Sequence, residues 1–246
     1  ISWGFIAGLI VVAVSIAILL YFLSQTDIVG GSQHQACLAS VTARSGLPAG
    51  SHYVPLNCKT EKICITESGE DCDAAGFKKT KSNDPEKVNV PLFGDTKEVV
   101  LETISESLYD CHTMLGSGYM NFLPDKAYDK NYCLVCSRIA LDEEAREKVG
   151  TDITYLQLFQ YLQQKKNSKG ESYLKKIYRV NRAEELSPML EQIREAVNEK
   201  AKSEKIKSIS DIKIDLTAKE GNAVIAQMAT EGQLVKWSGI VLTFIG

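Results

Sequence analysis

Seven cysteines and three histidines supply most of the side chains in this 246-residue chain whose types and spacing could do chemistry. The most pointed pair is Cys133 and Cys136, in "NYCLVCSRIALD". A Cys-x-x-Cys spacing serves haem attachment, thiol–disulfide exchange, zinc binding or plain structural bridging. Haem attachment needs histidine directly after the second cysteine, and Ser137 stands there. Thiol exchange needs the first cysteine at a helix N-terminus, where amides and dipole stabilise a thiolate. The flanks here are β-branched and apolar, and they read as a strand. Along an extended strand, residues three apart point to opposite faces, with Cα atoms ~10 Å apart and beyond the ~7 Å reach of a disulfide. Cys133 and Cys136 are therefore expected to find different partners. A zinc set of Cys111, His112, Cys133 and Cys136 is the sharper alternative, although adjacent residues rarely both reach one tetrahedral ion. The plain reading is structural, with Cys111 bridged to Cys133 or Cys136.

The remaining motifs are weaker. His34 and His52 sit among polar residues and read as solvated loop positions, whereas His112 beside a buried cysteine reads as a structural histidine. "LGSGYMNF" lacks the lysine and hydroxyl of a phosphate-binding loop and follows a helix, so it is expected to cap that helix and turn. Tyr155, Tyr161, Tyr173 and Tyr178 suit a core-and-interface role better than an aromatic binding patch. Gly-x-Ser-x-Gly, His-Glu-x-x-His and EF-hand patterns do not occur, nor does an Asn-x-Ser/Thr acceptor. No cofactor is expected. Net charge is −3 with acids and bases interspersed, so nucleic acid is not an expected partner.

The elements that must position these residues begin with "ISWGFIAGLIVVAVSIAILLYFLSQTD". Residues 1–24 carry no charge, and a helix of roughly 20 such residues crosses the ~30 Å hydrocarbon core of a bilayer. Apolar residues lie on every side, which excludes an amphipathic surface helix. Trp3 and Tyr21 stand near opposite ends, where amphipathic rings favour the membrane interface. No lysine or arginine follows until Arg44, so the remainder is expected on the extracytoplasmic side. The cysteines agree with that placement. Cys37, Cys58, Cys64 and Cys72 cluster in a stretch of short apolar pieces punctuated by Gly, Pro, Asp and Asn, and disulfides are the usual remedy for so small a core outside the cell. With Cys111, Cys133 and Cys136 the count is odd, so at least one cysteine is free or bridged beyond this sequence. The chain closes on the apolar run "KWSGIVLTFIG", which suggests a continuation.

The expected organisation is a transmembrane helix over 1–24, a linker over 25–36 and an extracytoplasmic α+β domain over 37–246. Within the domain a Cys-rich strand-and-loop part spans 37–89, a helix-rich part 95–202, and C-terminal strands 210–246. Asp95 begins the helix-rich part as an N-cap with Glu98 three residues on. Val100, Ile104, Leu108 and Cys111 then share one face. "DEEAREK" reads as a short helical turn. "DITYLQLFQYLQQ" is the second helix, with Ile153, Tyr155, Leu156, Phe159 and Leu162 forming a wide apolar face. "SPMLEQIREAVNEKAK" is the third, with Ser187 as N-cap, Pro188 at the first helical position, and Leu190, Ile193 and Val197 inward. Ile212, Ile214 and Leu216 alternate as in a strand, and "KEGN" and "TEGQ" supply turns. The fold class is α+β, with helices packed on antiparallel strands.

Two resemblances extend this reading. "ISWGFIAGLIVVAVSIAILLYF" resembles the N-terminal helix of mature type IV pilin-like proteins, whose helices pack into a filament core. It departs from them at the fifth position, where many pilins carry Glu and this chain has Phe5. "CLASVTARS", "PLNCKTEKICI", "LYDCHTMLGSG" and "YCLVCSRIALD" are similar to stretches of single-pass, cysteine-containing cell-surface proteins of small-genome archaea. That resemblance implies a surface location and no activity. The leading expectation is a membrane-anchored structural or interaction protein, with a pilin-like filament subunit as its specific form. Its partners would be the lipid bilayer and other copies of itself or another surface protein. A membrane-anchored thiol–disulfide oxidoreductase using Cys133 and Cys136 is the alternative.

Overall fold

The computed structural model describes residues 33–47, 53–67, 72, 87–92, 94–120, 122–123, 132–149, 153–200, 206–214, 216, 222–231 and 234–244. The apolar segment 1–24, with Trp3 and Tyr21, lies outside them, as does His52. Among the described residues no helix is long and apolar enough to cross a membrane.

The chain is α+β. Helix α1 (Gln33–Gly46) leads to strands β1 (Glu61–Thr66) and β2 (Lys87–Pro91), and helix α2 (Thr96–Met114) follows. Then come strand β3 (Tyr132–Leu141), helices α3 (Glu143–Val149), α4 (Tyr155–Gln164), α5 (Tyr173–Tyr178) and α6 (Ser187–Lys200), and strands β4 (Asn222–Glu231) and β5 (Leu234–Phe244). The described strands form one sheet in the order β2-β1-β3-β4-β5. It is mixed and not antiparallel throughout: β1 runs parallel to both β2 and β3, whereas β3–β4 and β4–β5 are antiparallel. Parallel neighbours need a long crossover, and α2 supplies one by carrying the chain from β2 past β1 to β3. β4 and β5 form a hairpin whose last pair is Glu231↔Leu234, at the expected "TEGQ" turn.

Helix α2 forms as its sequence requires. Asp95 caps it by accepting a hydrogen bond from Lys97 N at 2.9 Å, satisfying one of the first orphan amides. Val100, Ile104, Leu108 and Cys111 are all buried on its inner face, against Ile63, Ile65, Ile139 and Leu141 of the sheet. "LGSGYMNF" does end the helix: Leu115 is the C-cap, and Gly116 and Gly118 take positive φ in the turn that follows. A Cβ on Gly116 would also come within 2.7 Å of the Met120 side chain.

Helix α4 has a capping box between Thr154 and Gln157, and it buries Tyr155, Leu158, Phe159 and Leu162. Three of the four tyrosines serve packing as expected, whereas Tyr161 is only part-buried. Tyr155 and Tyr173 are buried, Tyr173 stacks on Tyr109 at 4.2 Å, and Tyr178 meets Phe159 edge-on at 5.4 Å.

Three expectations are corrected. The linker and the start of the Cys-rich part are helical from Gln33, because Cys37, Ser40, Val41 and Arg44 recur at helical spacing and turn inward. Ser187 is not an N-cap. It has helical dihedrals, follows a 3-10 turn (Ala183–Leu186), and donates its hydroxyl back to Glu184 O at 2.5 Å. Ile212, Ile214 and Leu216 are buried, but among the described residues their segment joins no ladder. A 3-10 turn (Ile209–Asp211) precedes a single bridge, Thr154↔Lys213.

Candidate functional site

The cysteines come together in three bridges. Cys37–Cys58 ties α1 to the segment before β1, with Cα atoms 4.4 Å apart. Cys64–Cys72 spans 5.7 Å on the far side of β1, in a small cluster with Ala140. Cys111–Cys136 joins α2 to β3 across 5.6 Å. All three separations lie in the ordinary disulfide range. β3 carries a bulge at Cys136, which falls between the pairs Val135↔Ile225 and Ser137↔Val224; bulges re-aim a side chain where a regular strand could not. Cys136 therefore meets α2, and next to it the Ser107 and Ser137 hydroxyls hydrogen-bond each other. Cys133 lies three residues upstream, opposite Gln227 in the ladder. The other six cysteines are bonded among themselves, so it has no cysteine partner within this sequence.

This pairing removes two chemistries from "CLVC". The zinc set of Cys111, His112, Cys133 and Cys136 loses two thiolates to a bridge, and among the described residues no other group of His, Cys, Asp and Glu is placed to hold a metal. A Cys133–Cys136 exchange pair is likewise not formed, because the Cys136 sulfur is bonded to Cys111. His112 is buried beside that bridge. Burial pushes its pKa down to about 4, and the positive charges of Lys176 and Arg179 push the same way. It is held as a neutral imidazole.

The structure draws together a second set of groups. A groove of about 300 Å³ runs between α2 and the β1–β2 side of the sheet. Ile63, Val90 and Val99 give it apolar walls, Thr103 and Ser107 add hydroxyls, and four carboxylates line it: Glu61 from β1 and Glu102, Glu106 and Asp110 from α2. The α2 carboxylates recur every four residues and so form one row on the helix. Lys165, just after α4, hydrogen-bonds Glu102 and lies 3.3 Å from Glu106. The hydrogen bond to Glu102 is the main reason its pKa is raised. The Tyr173 hydroxyl donates to Glu106 at 3.0 Å, and burial, followed by that carboxylate's charge, pushes its pKa up to about 12.

At the other end the set is Glu61, Asp110 and His34. His34 lies in α1 and not in a solvated loop, and its Nδ1 is 3.8 Å from Asp110 Oδ2. Burial raises the pKa of both Glu61 and Asp110. The His34 charge opposes the rise in each, while Asp110 adds to it at Glu61 and Glu106 adds to it at Asp110. A smaller groove of about 220 Å³, on the α4 side of α2, is lined by Lys97, Leu101, Ile153, Gln157, Gln160, Tyr161 and Gln164.

Sequence reasoning missed the acidic row, although its signal was present. Glu98, Glu102, Glu106 and Asp110 repeat at spacings of four, beside the stronger periodic signal of the inner apolar face. The partner groups Glu61, Lys165 and His34 lie far away in sequence, and no local pattern announces them. No protein-family model, curated protein or solved structure was found to match the chain.

Proposed function

We propose that this chain is the extracytoplasmic domain of a single-pass, membrane-anchored protein of the cell surface, and that it works by structure and interaction. One observation supports the reading most strongly: three bridges join six cysteines, and five of those cysteines are buried. Such bridges form and persist where thiols are not kept reduced. The apolar segment 1–24 provides the anchor, with Trp3 and Tyr21 as its interface residues. The lipid bilayer is then one partner, and further copies of the chain or another surface protein the other. Packing of the N-terminal helices into a pilin-like filament is the more specific form of this reading.

The test is a thiol and disulfide map by mass spectrometry on protein purified from its native membranes, with protease added to intact cells in parallel. The expected map has Cys37–Cys58, Cys64–Cys72 and Cys111–Cys136, with Cys133 alone outside the bridges, and the domain is cut from the cell surface. Free thiols at all seven cysteines, or a domain that stays shielded until the cells are opened, would overturn the proposal.

A further inference from the structure

We infer that the junction where the first turn of α1 meets β1 and α2 is an acid-sensitive latch, tightened when its groups gain protons and loosened when they lose them. The two ends of the acidic row are unequal. At one, Lys165 serves Glu102 and Glu106, and Tyr173 donates to Glu106. At the other, Glu61 and Asp110 line the same groove, with Glu106 one helical turn from Asp110. Among the described residues, His34 is the basic group within 4 Å of a carboxylate at that end. β2 contributes the uncharged Val90 to the wall.

With the imidazole neutral and Glu61, Glu106 and Asp110 ionised, β1 and α2 repel across the groove, and among the described residues no ion pair draws the first turn of α1 inward. Protonating the imidazole places one opposite charge beside Asp110. Protonating Glu61 lowers the repulsion and leaves that pair in place, and burial raises the Glu61 pKa. Both events act in one direction.

The moving part is small. Beyond its first turn α1 is held by the Cys37 bridge, by Val41 in the core, and by Arg44, which donates to Phe122 O at 3.0 Å and Val54 O at 3.1 Å. In the first turn Gln35 and Ala36 are exposed, and the His34 side chain reaches Asp110. The latch does not depend on the proposed anchoring. Were that reading right, this turn would be the first described element after the membrane.

The test is amide hydrogen exchange on the full chain in detergent, corrected for intrinsic rates, at about pH 5 and about pH 8. The amides to follow are those of residues 37–40, whose helical bonds end on the carbonyls of residues 33–36. Protection is expected to be roughly threefold higher at the acid pH, the scale of a part-exposed ion pair. In Glu61→Gln/Asp110→Asn, which loses the repulsion and the ion pair together, protection should be the same at both pH values and lie between the acid and alkaline values of the unaltered protein. Asp110→Asn alone should keep a reduced pH effect. Equal protection of the unaltered protein at both pH values would overturn the latch, as would a pH effect that survives in the double variant. Circular dichroism and the intact disulfide mass report whether each variant folds; the single variant decides if the double one does not.

Discussion

Residues 153–216 and residues 33–72 reach a folded state by different means. The first region contains no cysteine, and it buries Leu158, Phe159, Leu162, Leu174, Ile177, Leu190, Ile212 and Ile214 in one continuous core. The second holds two of the three bridges, and the buried apolar side chains among its described residues are few: Val41, Ile63 and Ile65 beside the cysteines themselves. Helices with wide apolar faces bring many carbons together per residue ordered. Short strands between polar turns do not, and there covalent closure of the unfolded chain takes over part of the stabilisation. The difference teaches where each region is vulnerable: the helical one to lost volume, the Cys-rich one to reductant.

The largest effect is expected in the packed region. Phe159 is 2% exposed, meets Tyr178 edge-on, and has Tyr155 at 6.5 Å. Phe159→Ala should cost about 3–5 kcal/mol, the lost transfer energy plus the cavity left behind. Urea unfolding of the oxidised protein measures it. A cost under about 1 kcal/mol, the scale of an ordinary surface change, would mean that this core is loosely packed. The two regions would then not differ as argued.

The stapled region should respond next. Removing the Cys37–Cys58 bridge with Cys37→Ala/Cys58→Ala opens a loop with sequence separation 21, which chain-entropy reasoning values at about 3 kcal/mol. The loss should be local, with exchange protection falling in α1 and β1 while α4 keeps most of its own. Cys58 is only half-buried whereas Cys37 is 0% exposed, so mild reductant should open this bridge before Cys111–Cys136. Protection that falls equally in α1 and α4 would show that the two regions unfold as one unit and end the contrast.

What could be read in advance follows the same division. The buried face of α2, its Asp95 cap, the apolar face of α4 and the strand around Cys136 are all local patterns of period 3.6 or 2, and they are present as expected. The sequence leaves Cys133 and Cys136 as alternative partners of Cys111, and the bulge that selects Cys136 is a property of the β3–β4 ladder. Helix α1 was missed because its inward positions are Cys37, Ser40, Val41 and Arg44, a mixture with little apolar contrast. The parallel pairing of β1 with β2 and β3 depends on crossovers, which leave no mark on the strands themselves. Ile212, Ile214 and Leu216 alternate because they lie against α4 and its neighbours; alternation reports burial on one side and not membership of a ladder.

The smallest effect lies where the two regions meet, at His112 in the last turn of α2. Its pKa is about 4 in the folded chain, chiefly because it is buried, against about 6.5 once unfolded. The unfolded chain therefore binds a proton that the folded chain refuses anywhere between those values. Its contribution is fully present above pH 6.5 and is lost as pH falls toward 4, by about 2 kcal/mol at pH 5. Glu61 and Asp110 have the opposite sign. Their folded pKa values are raised, so acidification favours the folded form through them. Global stability should thus fall on acidification while protection in the first turns of α1 rises. Urea midpoints at about pH 7 and pH 5 measure the first quantity, and His112→Gln should remove most of the fall. If the fall persists in that variant, the acid sensitivity belongs to groups elsewhere. If stability and α1 protection move together, the latch and the core beneath it are one cooperative unit.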